Sequence, residues 1–431
     1  MENLLPAIVF LSIIPATFNR GFFSPASLAL VLFLLFVLTV INYGDNFKIS
    51  RRNLQSGLGL IFIGVYLLFL FFNGGIYQKL LIPTMLIHIL PLIFIPAVFS
   101  FQVIKLRLTS EKFRFFSLIS LAFILRILMI IATPEPAIDV FYMLKEAPIR
   151  LLSGINPYEA VYSPVYAGVT ADYFTYFPGA FLLQIPFVLI FTDPRVLLVF
   201  SDIAGGLLLY LVGRKTITAQ IIALIYLFRP NSLFIIEQSW LTPLVFFFLA
   251  SATYLMKYGK EKAERLTAVV LALLASIQPQ FIVSLPFFLA GITKRINFLI
   301  IFSIILLSVI LPFFLINPAA FINDALLFFF RPSRQMFSVP VYLSLNLNTP
   351  YHFLTGRDIP IFITGAIFIL ITVLLLLKLY KKNYHKSGLK AGIVLANCIL
   401  YLSFFLLLKF SFINYYYLTS GLVLLYLTIL I

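Results

Sequence analysis

The first candidate for chemistry is Asp139. It lies in the stretch 133–176, the longest polar interruption of an otherwise apolar chain. Of the chain's 15 acidic residues, Glu135, Asp139, Glu146, Glu159, Asp172 and Asp193 gather in or just after it. A carboxylate held at a membrane surface can take a proton from a hydroxyl. An ordinary aspartate titrates near 3.9, so about 3.9 is the baseline. Partial burial raises that value and makes a better general base. Pro134 and Pro136 precede Asp139 and resist continued helix. After it, VFYMLKEAPIRLLSG (140–154) sets apolar residues at helical spacing with Lys145, Glu146 and Arg150 between them. That pattern suits a helix lying in the interface, which would pin the carboxylate at headgroup level. The plain alternative is a capping or solvated aspartate.

Other side chains fit supporting roles. Gly154 can end a helix, and Asn156, Pro157 and Tyr158 make a rigid turn. Tyr173, Tyr176 and Phe177 form an aromatic patch suited to an interfacial belt or to sugar stacking. Arg229, Arg331, Arg334, Arg357 and Lys409 fall at expected outer helix ends or loops. Cations there can stabilise a departing phosphate, as well as bind lipid headgroups. Arg331 and Arg334 are the best pair. Glu237, Gln238, Gln278 and Gln280 can hold sugar hydroxyls. Asp202 sits inside an apolar run with Ser201, Gly205 and Gly206; it either lines a cavity or pairs with Arg126. His352 reads as an outer-loop histidine. No His/Cys cluster suggests a metal, and no P-loop or dinucleotide-binding glycine motif is present.

These residues must be held by membrane helices. The chain has 431 residues, 62% hydrophobic and 11% charged, whereas soluble domains carry about 25% charged residues. Apolar runs of about 20 residues, each able to cross roughly 30 Å of hydrocarbon, recur throughout. They lack the alternation of a transmembrane barrel. The net charge of +16 sits in short clusters between the runs. That is the positive-inside pattern, and it points to lipid headgroups rather than nucleic acid. The first run lacks a basic leader and a cleavage site, so it is expected to stay. The lone Cys398 excludes an intrachain disulfide framework.

Charge bias sets an expected topology. Placing Lys48, Arg51, Arg52 and the cluster 105–114 inside puts 133–176 outside. Expected spans are 4–19, 25–43, 56–73, 80–101, 115–132, 196–212, 216–229, 233–256, 266–278, 280–292, 297–316, 359–380, 389–408 and 411–431. The run 174–192 carries Pro178, Gly179 and Pro186 and is expected not to cross, because Arg214 and Lys215 must fall inside. The expectation is an all-α polytopic bundle of about 12–14 spans. It divides into N-terminal helices (1–132), a first outer loop with interfacial helices (133–195), core helices (196–316), a second outer loop (317–358) and C-terminal helices (359–431). Two outer loops can roof a cavity.

The order of local motifs adds a resemblance. DVFY (139–142), then A-x-x-x-LLSG-x-NPY (147–158), YFPG (176–179) and SDIAGGLLLYLVGRK (201–215) resemble the opening of the GT-C superfamily of membrane glycosyltransferases. The nearest type is the polyprenyl-phosphate-mannose-dependent enzymes, similar to the first GPI mannosyltransferase and to bacterial and archaeal relatives. A looser similarity runs through RPNSLFIIEQSW (229–240) and IQPQFIVSLP (277–286). KFSFINYYYL (409–418) resembles the polar-aromatic end of a late helix in such enzymes. The resemblance implies that Asp139 is the catalytic base; outer position and charge make Arg331, Arg334, Arg229 and Lys409 the candidates for the donor phosphate. By their polar or aromatic chemistry, Asn156, Tyr158, Tyr176, Glu237, Gln238, Gln278, Gln280, Asn414 and Tyr415 are the candidates to contact sugar or acceptor. Many relatives carry paired acids where this chain has one, and Glu135, four residues upstream, is not the missing partner. A divalent cation therefore has no evident ligand set.

The expected function is inverting transfer of a sugar, by resemblance mannose, from a polyprenyl- or dolichyl-phosphate carrier to a hydroxyl of a glycolipid or glycan. The expected setting is a prokaryotic, by resemblance archaeal or bacterial, plasma membrane with the site facing outside. The other reading is a transporter or flippase of lipids or lipid-linked sugars. That class favours repeat symmetry and ionisable residues near the midplane, of which Arg126 and Asp202 are the only sign.

Overall fold

The computed structural model describes residues 4–44, 51–103, 110–166, 169–259, 261–330, 343–381 and 386–431. Among them nine helices are long and apolar enough to cross a membrane, from Pro25–Tyr43 to Ile413–Leu430. The protein is an all-α, multi-pass integral membrane protein.

Burial sorts the helices into an inner and a peripheral set. In an 18-residue stretch of Gly388–Leu407, 83% of the residues are buried, whereas in such a stretch of Ile361–Lys381 only 6% are. The exposed surface of Ile361–Lys381 is aliphatic and aromatic, including Phe362, Ile369 and Leu370. Such a face is stable against hydrocarbon, where backbone polar groups are already satisfied within the helix. The inner helices approach closely through small residues: a Cβ on Gly205 of Arg195–Val212 would lie 2.9 Å from the Phe246 ring.

One buried ion pair ties this interior together. Arg126 Nε donates to Asp202 Oδ2 at 2.7 Å, and Tyr226 OH donates to Asp202 Oδ1 at 2.7 Å. Arg126 also donates to the carbonyls of Ala122 and Leu227. Of the two sequence readings of Asp202, the paired one is observed.

Four expected spans are shortened or broken, and a fifth starts earlier than expected. Leu4–Thr17 and Ile217–Leu227 have 14 and 11 residues, short of the roughly 20 that cross a bilayer untilted. The 266–278 run is replaced by the longer helix Glu261–Ile277, with Gln278 extended just past its end. The 233–256 run is broken into Ser232–Glu237 and Thr242–Tyr258, with Ser239 left-handed at φ 57° between them. Pro243 explains the break: it lacks an N–H and its ring clashes with the carbonyl four residues back. The 280–292 run becomes a 3₁₀ turn, Pro279–Ser284, leading into the short helix Leu285–Leu289. Pro286 stands where these two meet and prevents one continuous helix.

The polar segments form a layer at one end of the bundle. The first contains the surface helix Asp139–Leu152, a small hairpin pairing Pro164–Tyr166 with Val169–Thr170, and the apolar helix Gly179–Phe191. The last has 13 residues, about 20 Å at 1.5 Å per residue, a length suited to a helix that dips in without crossing. The second polar segment contains Pro318–Phe321, a π-helical turn Ile322–Leu327 and the helix Asn348–Thr355. The two segments meet. Buried Asp324 accepts the Phe174 N–H at 2.8 Å, Tyr158 packs edge-on to Phe321, and Asn317 donates to Glu159.

Candidate functional site

Asp139 is placed by its neighbours on both sides. Glu111–Ala132 ends at Thr133, and the prolines carry the chain through bends to an extended Ile138. Asp139 is then the first residue of the surface helix, where a carboxylate also suits the helix dipole. Arg195 fixes this turn from below. It is fully buried and holds Asp193 in a bidentate pair through its Nε–Nη2 edge. It also donates to Thr133 Oγ1 at 2.8 Å and lies 4.9 Å above the Phe141 ring. One guanidinium thus clamps the residue that ends one helix and a residue two positions past Asp139. The amphipathic reading of 140–154 matches the helix: Phe141, Met143, Leu144 and Ala147 face inward.

The Asp139 carboxylate is half-buried at a cavity wall. Its Oδ1 accepts the Val140 N–H at 2.8 Å and its Oδ2 accepts the Tyr173 hydroxyl at 2.7 Å. Among the described residues no lysine, arginine or histidine pairs with it. Burial pushes its carboxyl above the ordinary range, and the two hydrogen bonds offset only part of that rise.

The cavity has a volume of about 790 Å³, within the roughly 300–1,000 Å³ typical of small-molecule sites. Its polar wall brings together seven of the other residues expected from sequence: Tyr176, Gln238, Gln278, Gln280, Lys409, Asn414 and Tyr415. They come from segments far apart in the chain. Its apolar wall includes Gly365 and Phe368 of the peripheral helix Ile361–Lys381 and Phe404 and Leu407 of the helix beside it. A mixed cavity of this kind holds a ligand with a polar end and an apolar end.

The remaining expected residues stand elsewhere. Tyr158 is buried and donates to the Tyr176 carbonyl at 2.8 Å, so it fixes the backbone that presents Tyr176. Asn156 accepts the Tyr158 N–H in a side-chain turn. Glu237 is fully buried behind the wall and accepts the Ile76 and Tyr77 N–H groups, each at 2.8 Å. It pulls in the loop that presents Tyr77 to the cavity, and Gly75 passes too near the carboxylate to carry a side chain. Arg229 lies inside the bundle between the Tyr226 and Tyr417 rings and donates to the Tyr417 carbonyl and Ser420. It does not line the cavity. Arg331 and Arg334 lie outside the described residues. Among the described residues no three His, Cys, Asp or Glu side chains come together as a metal site.

Sequence reasoning missed Arg20. It lines the cavity and lies 4.5 Å above the Phe234 ring. The available signal was its position: under the charge-derived topology it is a basic residue at the outer end of the first span, against the bias. Tyr173 was read as part of an aromatic patch, and its bond to Asp139 was not foreseen. Lys409 also lines the wall, 3.7 Å from the Asp358 carboxylate.

The chain matches no protein-family model and no curated protein. What the fold itself defines is a class: a multi-pass helical membrane protein with a mixed polar and apolar cavity at one end of its bundle.

Proposed function

We propose that the protein is an inverting glycosyltransferase that takes a sugar, by resemblance mannose, from a polyprenyl-phosphate carrier and adds it to a hydroxyl of a glycolipid or glycan. The observation that carries this reading is the Asp139 carboxylate at the cavity wall, with its carboxyl raised by burial and held by neutral donors. In the proposed reaction Asp139 accepts the acceptor's hydroxyl proton. The freed oxygen attacks the anomeric carbon as the bond from that carbon to the phosphate oxygen breaks. The electron pair leaves with the lipid phosphate. Lys409 and Arg20 are the cations on the described wall suited to receive that charge. Gln278, Gln280 and Asn414 supply amide contacts for hydroxyls. The apolar wall suits the lipid chain.

The transporter reading draws on the ionisable residues within the bundle. Arg126 and Asp202 are there, but they saturate one another and do not line the cavity, which favours the transferase. The test is reconstitution in liposomes with labelled polyprenyl-phosphate-mannose and a membrane glycolipid extract. Label passing to the glycolipid, and lost in Asp139→Asn, supports the proposal. Label crossing leaflets with the donor intact, unaffected by that variant, overturns it.

A further inference from the structure

We infer that Tyr173 is the positioning residue of the Asp139 base, keeping it ionised and aimed into the cavity. This rests on the proposed role of Asp139 and extends it to a residue with no assigned function. The hydroxyl of Tyr173 donates to Asp139 Oδ2 at 2.7 Å, and both side chains line the cavity. An ionised carboxylate offers about four acceptor sites. Val140 N–H and Tyr173 OH take one on each oxygen, so each oxygen retains room for a substrate hydroxyl. The bond steers the base without blocking it.

The tyrosine is itself held in place. Its ring packs on Phe328 of the second polar segment at 4.5 Å between centroids. The next residue's N–H is bound by Asp324 of the same segment at 2.8 Å. The first polar segment therefore supplies the base, and the second fixes the donor that controls it. Burial, then the neighbouring Asp139 carboxylate, push the Tyr173 phenol far above its ordinary range, so it remains a donor.

The other groups around Asp139 do not duplicate this bond. Tyr77 and Tyr176 stand near enough to sense its charge. Arg20, Tyr166, Lys409 and Tyr415 lie along the cavity wall. Lys145 and Arg195 face the Phe141 ring, and Glu146 and Arg150 pair farther along the same helix. The helix packed against the surface helix, Gly179–Phe191, carries no ionisable residue. Among the described residues only Tyr173 gives Asp139 a side-chain hydrogen bond.

The test is the pH profile of transfer by the full chain in liposomes. Tyr173→Phe keeps the ring on Phe328 and removes the donor. A hydrogen bond to a charged group is expected to move the acid limb up by about one pH unit when lost. Turnover should fall about tenfold on the acid side and recover as pH rises past the shifted limb. Tyr173→difluorotyrosine, nearly isosteric and a stronger donor, should move the limb down, and it covers the case in which the phenylalanine variant folds poorly. An unmoved limb in both variants, or a loss equal at every pH, overturns the inference. Full turnover in Asp139→Asn instead overturns the role of the base, whatever the Tyr173 variants show.

Discussion

Asp139 and Asp202 each accept a tyrosine hydroxyl at 2.7 Å, from Tyr173 and Tyr226. Beyond that bond their settings are opposite. Asp202 lies within the bundle beside the equally buried Arg126, whose guanidinium meets it at 2.5 Å. Asp139 stands at a cavity wall with a backbone N–H and a phenol but no described cation. A carboxylate matched by a guanidinium has its charge committed to structure. One held only by neutral donors keeps acceptor capacity and, through burial, a raised affinity for protons. The pair shows that burial alone does not leave a carboxylate open to a ligand; burial without a counter-charge beside open space does.

The comparison breaks first on Asp139→Asn. Loss of a general base is expected to lower transfer by about 10²–10⁴-fold, with an unchanged melting temperature in detergent. Retained transfer would leave Asp139 no more functional than Asp202. Asp202→Ala should do the reverse. Stranding Arg126 in the bundle is expected to cost about 3–5 kcal/mol, seen as a lowered thermal midpoint or poor extraction. Turnover per folded molecule should stay within a few-fold, about the scatter of a modest interaction change. Joining Arg126→Met to Asp202→Leu should restore much of the lost stability, since an apolar pair strands no charge.

A third contrast is pH. The proposed transfer needs the ionised form of Asp139, and its folded carboxyl is raised. Turnover should therefore be full above the raised value and fall by about tenfold per unit below it, with a limb above the ordinary aspartate value of about 3.9. A limb at or below that value would mean that burial does not govern this carboxyl. The smallest expected effect is on the polar wall. Gln280→Ala should weaken sugar binding by about 0.5–1.5 kcal/mol, the net worth of one hydrogen bond, read as a raised KM for donor or acceptor with little change in kcat. A loss confined to kcat would place Gln280 at the reacting atoms.

Much of this was legible in one dimension. Asp139 stood out because prolines end one helix just before it and an amphipathic pattern begins just after, both local properties. Gln278 and Gln280 stood out as amides at the junction of two expected spans, 266–278 and 280–292. Glu237 and Arg229 were legible as polar groups near helix ends, but not in their roles. Glu237 spends its carboxylate on two N–H groups of the 73–80 loop, and Arg229 spends its guanidinium on the last helix. Those partners are distant in sequence, so no local pattern encodes them. The expected span at 233–256 failed for the opposite reason: hydropathy summed over a window outweighed a single proline.

The sequence by itself determined the solvent, the class of fold and the first candidate acid. Hydrophobic run length, charge bias and proline placement are local quantities, and bilayer physics reads them directly. Only the tertiary structure decided which carboxylate is neutralised and which is left open. It decided that Arg20 reaches the cavity while Arg229 is enclosed, and that Tyr173 is the partner of Asp139. Those outcomes depend on which helices touch, since hydrogen bonds and ion pairs act over a few ångströms in space with no regard to distance along the chain.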